Sequence, residues 1–268
     1  CLMMRLRVGR SGNRCTCAGT CRQQYDVLDS EMNKVNKMNY NLSMKDLNSL
    51  DNIGKLIDIG VDSLKIEGRM KSPSYVYLVT KLYRNAIDSY LNKGKVEIDI
   101  DELKNLKKTF NREFTNGFLF NAKNNEVINP YRPNHLGVEI GEVIGKDKNK
   151  VLVKLTDDLS LNDGVRFIGK VDSGMQVTKI ECNRIKVDAA KKGDTVTLFF
   201  DGEVEKGSKV VKTIDYLLDK EIDKKLKEKK KIRIKGKIIA KTGKEFTLIL
   251  KDTEKNNTAI TIQPTAAR

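Results

Sequence analysis

Tryptophan is absent from the sequence, and aromatic residues make up only 6% of it. Such a chain offers few of the stacking platforms on which single-stranded bases are held. No apolar run approaches the roughly 18 residues that mark a membrane-spanning helix. The N-terminus has neither a basic-then-apolar secretory profile nor an initiator methionine, and starting on Cys1 it reads as a fragment or a processed chain. With a single histidine, His135, no zincin pair can be assembled. H-E-x-x-H and G-x-S-x-G are both missing, which removes the metalloprotease helix and the nucleophile elbow. Cysteine is scarce too: there are five, an odd number, and Cys1, Cys15, Cys17 and Cys21 crowd one end. That distribution excludes a framework of paired disulfides and favours a cytoplasmic protein with a soft-metal site.

What the chain has in excess is positive charge. Fifty-one Lys and Arg against 36 Asp and Glu give a formal net charge of +15 and a pI of about 9.5. This favours an anionic partner, and a phosphate backbone is attracted without its sequence being read. A nucleic acid is therefore the expected partner, with a solvated, lysine-heavy surface as the alternative. The lysine run from Lys220 to Lys237 reads first as a solvated helix face and second as an RNA-backbone contact.

The length of 268 residues suits one or two domains. Residues 1–40 show no clean period and read as an irregular, ligand-bearing loop. In "SMKDLNSLDNIGKLIDIG", Ser43 and Asp46 have capping-box spacing ahead of the apolar helical stripe Leu47, Leu50, Ile53, Leu56 and Ile57. "VDSLKIEG" alternates and reads as a strand. Ser72 and Pro73 start a helix carrying Val76, Val79, Tyr83, Ala86, Ile87 and Tyr90, which stops near Gly94. Tyr75 and Tyr77 read as helix core or rim. A short helix follows around Ile100–Phe110.

Beyond "NPYRPNHLG" the pattern changes to short alternating runs divided by Gly and Asp turns, as in a small closed β-barrel. The rhythm is similar to that of the second domain of translation elongation factors. Cys182 reads as a buried strand residue. "KVVKTIDYLLDKEIDKKLKEKKK" reads as a charged helix, and "KIRIKGKIIA" and "EFTLILKD" begin a further β unit that the chain ends too soon to close. The fold class is thus α/β plus all-β. Five segments are expected: 1–70, 71–133, 134–208, a basic helix over 209–230, and an incomplete β domain over 231–268.

Cys17 and Cys21, spaced C-x3-C, can ligate one soft centre from a tight loop, with Arg5, Arg7, Arg10, Arg14 and Arg22 offsetting thiolate charge. On spacing alone an iron–sulfur cluster, a zinc ion and free thiols all stay open. The run "GRSGNRCTCAGTCRQQY" after "CLM", then "LSMKDLNSLDNIGKLIDIGVDSLKIEGRMKSPSYV", resembles the collagenase-like peptidase U32 family over roughly residues 1–145. "NREFTNGFLF" and "RPNHLG" are similar to its larger members.

The resemblance implies that this chain holds the last portion of a (β/α) barrel. It also implies a 4Fe–4S cluster with Cys1, Cys17 and Cys21 as ligands and a fourth cysteine upstream. Cys15 stands where the family has glycine and reads as a bystander or a substitute ligand, and Gly19-Thr20 replaces Gln-Pro. The resemblance further implies an oxygen-independent hydroxylase of an rRNA or tRNA base using prephenate, with a peptidase acting on proteins and a non-catalytic RNA-binding piece as rivals. Glu67, Arg69 and Lys71 are the expected substrate-binding residues, at the end of the expected barrel strand where a carboxylate or phosphate can be clamped. Catalytic residues are unassigned, and His135 reads as a structural turn histidine.

Overall fold

The computed structural model describes residues 2–11, 16–120, 123–228, 233–241, 245–252 and 257–262. Residues 1–223 form one compact unit and residues 224–268 a second. In the first unit, α1 (Leu2–Val8) precedes a long irregular stretch with one 3-10 turn at Thr20–Arg22. A two-residue strand β1 (Asp46–Leu47), a 3-10 turn at Leu50–Asn52 and α2 (Ile53–Asp58) follow. Next come α3 (Pro73–Lys93), α4 (Ile100–Thr109), β2 (Phe114–Thr115) and α5 (Asn124–Val127).

The ends of α3 follow from its caps. Ser72 Oγ accepts the Tyr75 N–H at 3.2 Å, Pro73 opens the first turn, and Gly94 closes it with φ 70°. Its buried face is Leu78, Val79, Leu82 and Ala86, rotated away from the expected stripe, so that Val76 stays partly exposed. Asp99 caps α4 by accepting the N–H groups of Asp101 and Glu102, both at 3.0 Å. These helices share a core with Leu50, Ile53, Leu56 and Leu106.

Two expectations in this region fail. The capping box does not form: Ser43 is buried in a turn, and Asp46 lies in β1, pairing in parallel with Phe114 of β2. The helix therefore starts only at Ile53. Residues 61–68 form no strand, because an extended segment needs a neighbour to take its amides and carbonyls, and none pairs with it among the described residues. Among the described residues the parallel pairing in this region is β1–β2, two residues in each strand.

From Val138 the chain is β. The strands are β3 (Val138–Asp147), β4 (Lys150–Leu155), β5 (Leu159–Ser160), β6 (Gly164–Ile168), β7 (Ser173–Gln176) and β8 (Ile180–Cys182). They continue as β9 (Ile185–Val187), β10 (Ala189–Ala190), β11 (Thr195–Phe199) and β12 (Lys209–Ile214). Eight of them form one curled antiparallel sheet in the order β7-β6-β12-β3-β4-β11-β8-β9, while β5 and β10 pair separately. Register shifts between Val143 and Gly145 and between Val210 and Val211 bend it. Alternation decides which residues enter its core: Val151, Val153 and Leu155 of β4 are buried between exposed neighbours. Cys182 is half-buried against this core.

The basic helix expected over 209–230 is corrected by β12. Lys209–Ile214 is a strand lying between β3 and β6, and α6 (Tyr216–Lys227) begins only afterwards. Val210 and Val211 are β-branched and buried, so the central gap in the sheet outweighs the charged helical pattern. This placement also buries a charge. Lys212 is 3% exposed and pairs with Asp163, fully buried, at 2.8 Å and with Asp215 at 3.4 Å. Asp215 in turn pairs with Lys108 of α4 at 2.9 Å. The remaining valences of Asp163 accept the N–H groups of Ser160 and Tyr216. Two ammonium and two carboxylate groups thus tie α4 to the sheet and to the start of α6.

In the second unit, β13 (Lys235–Ile239), β14 (Phe246–Lys251) and β15 (Asn257–Ile262) form a three-stranded antiparallel sheet. No helix among the described residues is long and apolar enough to cross a membrane.

Candidate functional site

The thiol-bearing turn is built by Gly19. Its φ of 63° is left-handed, a conformation glycine adopts without a Cβ penalty, and it reverses the chain into the 3-10 turn holding Cys21. The reversal directs the Gly19 N–H onto Cys17 Sγ at 3.3 Å. Cys17 is exposed, Cys21 is half-buried, and both are free thiols. Between them Thr20 is only 8% exposed, and its Oγ1 has no hydrogen-bond partner among the described residues. Cys1 and Cys15 lie outside the described residues. Among the described ones, no group of three or more His, Cys, Asp or Glu comes together as a metal site.

Arg22 ends this turn and reaches away from it. Its Nη1 donates to Ser43 Oγ at 2.7 Å and to the Met44 carbonyl, spanning more than twenty residues of sequence. Burial lowers its pKa, as does the charge of Arg112, while Cys21 and Asp46 oppose the change. Arg112 grips Asp46 three times: its backbone N–H donates to Oδ2 at 3.1 Å, and Nε and Nη2 both donate to Oδ1, the first at 3.0 Å. The parallel register of β1 and β2 brings these residues together across 66 positions of sequence.

Lys71 completes the cluster. Its ammonium lies on the face of Phe110, with the Tyr75 ring centroid 5.4 Å away. The guanidinium of Arg112 is 5.0 Å from the same Phe110 ring. Burial, with smaller contributions from Arg112 and Arg22 and against the pull of Asp46, brings the Lys71 pKa down to about 8. Three cations therefore share one carboxylate against an aromatic wall. Such a half-desolvated cationic surplus is suited to a carboxylate or phosphate, with Arg112 as the planar clamp and Lys71 as the point charge.

Of the three expected substrate-binding residues, Lys71 belongs to this cluster. Glu67 turns back onto its own loop, its Oε1 accepting the Arg69 N–H at 3.0 Å, and both residues are exposed. The loop is tight for a steric reason: a Cβ at Gly68 would stand 2.5 Å from Val76 Cγ2. Sequence reasoning placed Arg22 beside the thiols but did not place Asp46, Tyr75, Phe110 or Arg112 in the site. Arg112 lies inside the quoted "NREFTNGFLF", but no periodicity links it to Asp46.

His135 is a structural residue. Nδ1 accepts the Asn111 N–H at 2.9 Å, and Nε2 faces the carbonyls of Lys108 and Thr213, both at 3.2 Å. Its ring stacks on Phe110 with centroids 5.5 Å apart, and burial lowers its pKa. Both nitrogens are engaged, so it supplies no base to a thiol.

These features define an α/β protein with a thiol turn joined to a cluster of cationic side chains. Residues 1–129 match the model of peptidase family U32. It is 34% identical over 179 residues to an Escherichia coli protein named as a 23S rRNA 5-hydroxycytidine synthase, covering 63% of this chain and 27% of the relative. An uncharacterized protease of Methanocaldococcus jannaschii is 32% identical over 78% of this chain and 54% of its own length. A Bacillus subtilis tRNA hydroxylation protein is 36% identical over 44% of this chain and 30% of its own. The chain thus spans from about a quarter to about half of the length of these relatives.

Proposed function

We propose that this chain is part of an iron–sulfur-dependent, oxygen-independent hydroxylase of an rRNA or tRNA base, acting in the cytoplasm with prephenate as the source of the hydroxyl group. The observation that carries the reading is the physical link made by Arg22 between the thiol turn and the Asp46–Arg112–Lys71 cluster. The names of the hydroxylating relatives and the basic surplus of the chain support it.

Two thiols are in place for a 4Fe–4S cluster among the described residues. Cys17 and Cys21 flank a turn that directs an N–H onto sulfur, and the buried Thr20 hydroxyl between them in sequence has no partner among the described residues. Cys17, Cys21 and Cys1 would hold the cluster with a fourth cysteine upstream, Cys15 being the alternative. When bound, the cluster supplies the redox or Lewis-acid step. Arg22, Lys71 and Arg112 hold a carboxylate of the co-substrate and fix its orientation. Phe110 and Tyr75 shield the Lys71 ammonium from water and strengthen that contact.

A protease reading is favoured by the name of the archaeal relative. The buried, doubly engaged His135 speaks against a cysteine–histidine pair within this chain. Anaerobic reconstitution of the whole protein separates the two. The expected result is about four irons and four sulfides per chain, as one such cluster requires, lost in a Cys17→Ala/Cys21→Ala variant. A protein that carries zinc or bare thiols, and cleaves gelatin without iron, contradicts the proposal.

A further inference from the structure

A cationic hollow that shares no residue with the thiol turn or the Lys71–Arg112 cluster lies where the 129–134 segment meets the curled sheet. It has a volume of about 240 Å³, and Tyr40, Tyr131, Arg132, Arg166 and Asp172 form its walls. Its frame is pinned at several points. Asn129 is 2% exposed, and its Oδ1 accepts the N–H groups of both Tyr131 and Arg132. The Tyr40 N–H donates to the Pro130 carbonyl at 3.1 Å, and the Tyr40 hydroxyl accepts from Gln24 Nε2. Arg166 Nη1 donates to the His135 carbonyl at 3.3 Å.

Within this frame two guanidinium groups share one carboxylate. Arg132 is bidentate on Asp172, and Arg166 Nη2 stands 3.6 Å from the same group. The hollow keeps one surplus positive charge. At its edge the Tyr131 side chain projects outward, 66% exposed, although burying an aromatic ring is ordinarily favourable. The buried Asn129 amide fixes the backbone from which this ring projects. The volume falls below the roughly 300–1,000 Å³ of pockets that engulf whole ligands. It suits a phosphate and part of a sugar, leaving a base outside against the ring.

We infer that this hollow is a docking site for single-stranded RNA, with a backbone phosphate on Arg132 and Arg166 and the adjoining base stacked on Tyr131. The ligand class rests on the RNA reading above, while the residues of this site are not those of the Arg22–Lys71–Arg112 cluster that would take the co-substrate. Asp172 acts as the resident counter-ion that an incoming phosphate displaces.

The test is binding of a fluorescent single-stranded oligoribonucleotide to the full chain by anisotropy, with thermal unfolding run in parallel. Tyr131→Ala removes an exposed ring and leaves the fold intact, and it is expected to weaken binding by about tenfold, within the roughly 1–3 kcal/mol of a base–aromatic stack. Arg166→Gln should weaken binding and flatten the salt dependence by about one phosphate contact. Asp172→Asn frees both guanidinium groups and should tighten binding severalfold. A purely structural ion pair predicts lower stability for Asp172→Asn with no gain in affinity, and that result overturns the inference. Unchanged affinity in Tyr131→Ala, or competition by inorganic phosphate as effective as that by RNA, also overturns it. Because binding is read without turnover, a protein that binds RNA here but hydroxylates nothing refutes the hydroxylase reading alone.

Discussion

Replacing Lys212 with methionine is expected to destabilise the protein by about 3–5 kcal/mol, the cost of leaving a buried charge without its partner. Asp163 is fully buried, and its nearest cation is the Lys212 ammonium at 2.8 Å. Its two backbone N–H donors remain, but they do not neutralise it. Asp215 keeps Lys108 and suffers less. Adding Asp163→Asn to Lys212→Met removes the orphaned charge while keeping an acceptor for those amides, so the double variant should recover part of the loss. Urea unfolding midpoints check this. A single-variant cost below about 1 kcal/mol, the range of an exposed ion pair, contradicts the assignment.

Arg112→Gln is expected to lower affinity for a carboxylate or phosphate by roughly tenfold to a hundredfold, the 1.5–3 kcal/mol of a hydrogen bond to a charged group. The same change removes a positive neighbour of Lys71, so the Lys71 pKa should rise from about 8 toward its ordinary value of 10.5. The sign of the pH effect follows. In the unaltered protein the Lys71 ammonium loses its proton as pH rises through about 8, so anion binding weakens there. In Arg112→Gln that decline moves to higher pH. Titrating anion affinity between pH 6.5 and 10 with both proteins measures it, and an identical pH midpoint in the two contradicts the coupling. Stability carries the linked effect: a lysine whose pKa is depressed on folding contributes a penalty that grows as pH falls from 10.5 to about 8.

Local signals in the sequence found what local physics decides. Ser72-Pro73 and Gly94 bounded α3 correctly, because capping is settled within one turn. Most of the alternating runs between Val138 and Phe199 became strands, since a half-buried sheet face imposes a period of two, while "QVTKI" spans the gap between β7 and β8. Non-local pairing was the limit. "KVVKTI" continues smoothly into a charged helical pattern, and only the gap between β3 and β6 makes it a strand. "VDSLKIEG" alternates as a strand does, yet alternation cannot supply a neighbouring strand. "TAITI", which forms β15, went unread as a third strand. In the site, Lys71, Cys17 and Cys21 were visible as residue types within motifs. The Asp46–Arg112 pair was hidden by its separation, and the spacing of Ser43 and Asp46 imitated a helix cap.

The central claim, that the whole protein hydroxylates an RNA base through its thiol turn, is tested most directly by nucleoside mass spectrometry of rRNA and tRNA. The comparison is between a strain lacking the complete gene and the same strain complemented with either the native protein or Cys17→Ala/Cys21→Ala. The account predicts one nucleoside heavier by an oxygen atom that disappears on deletion, returns with the native protein and stays absent with the double variant. An unchanged nucleoside profile in the deleted strain, or full restoration by the thiol-free variant, contradicts it.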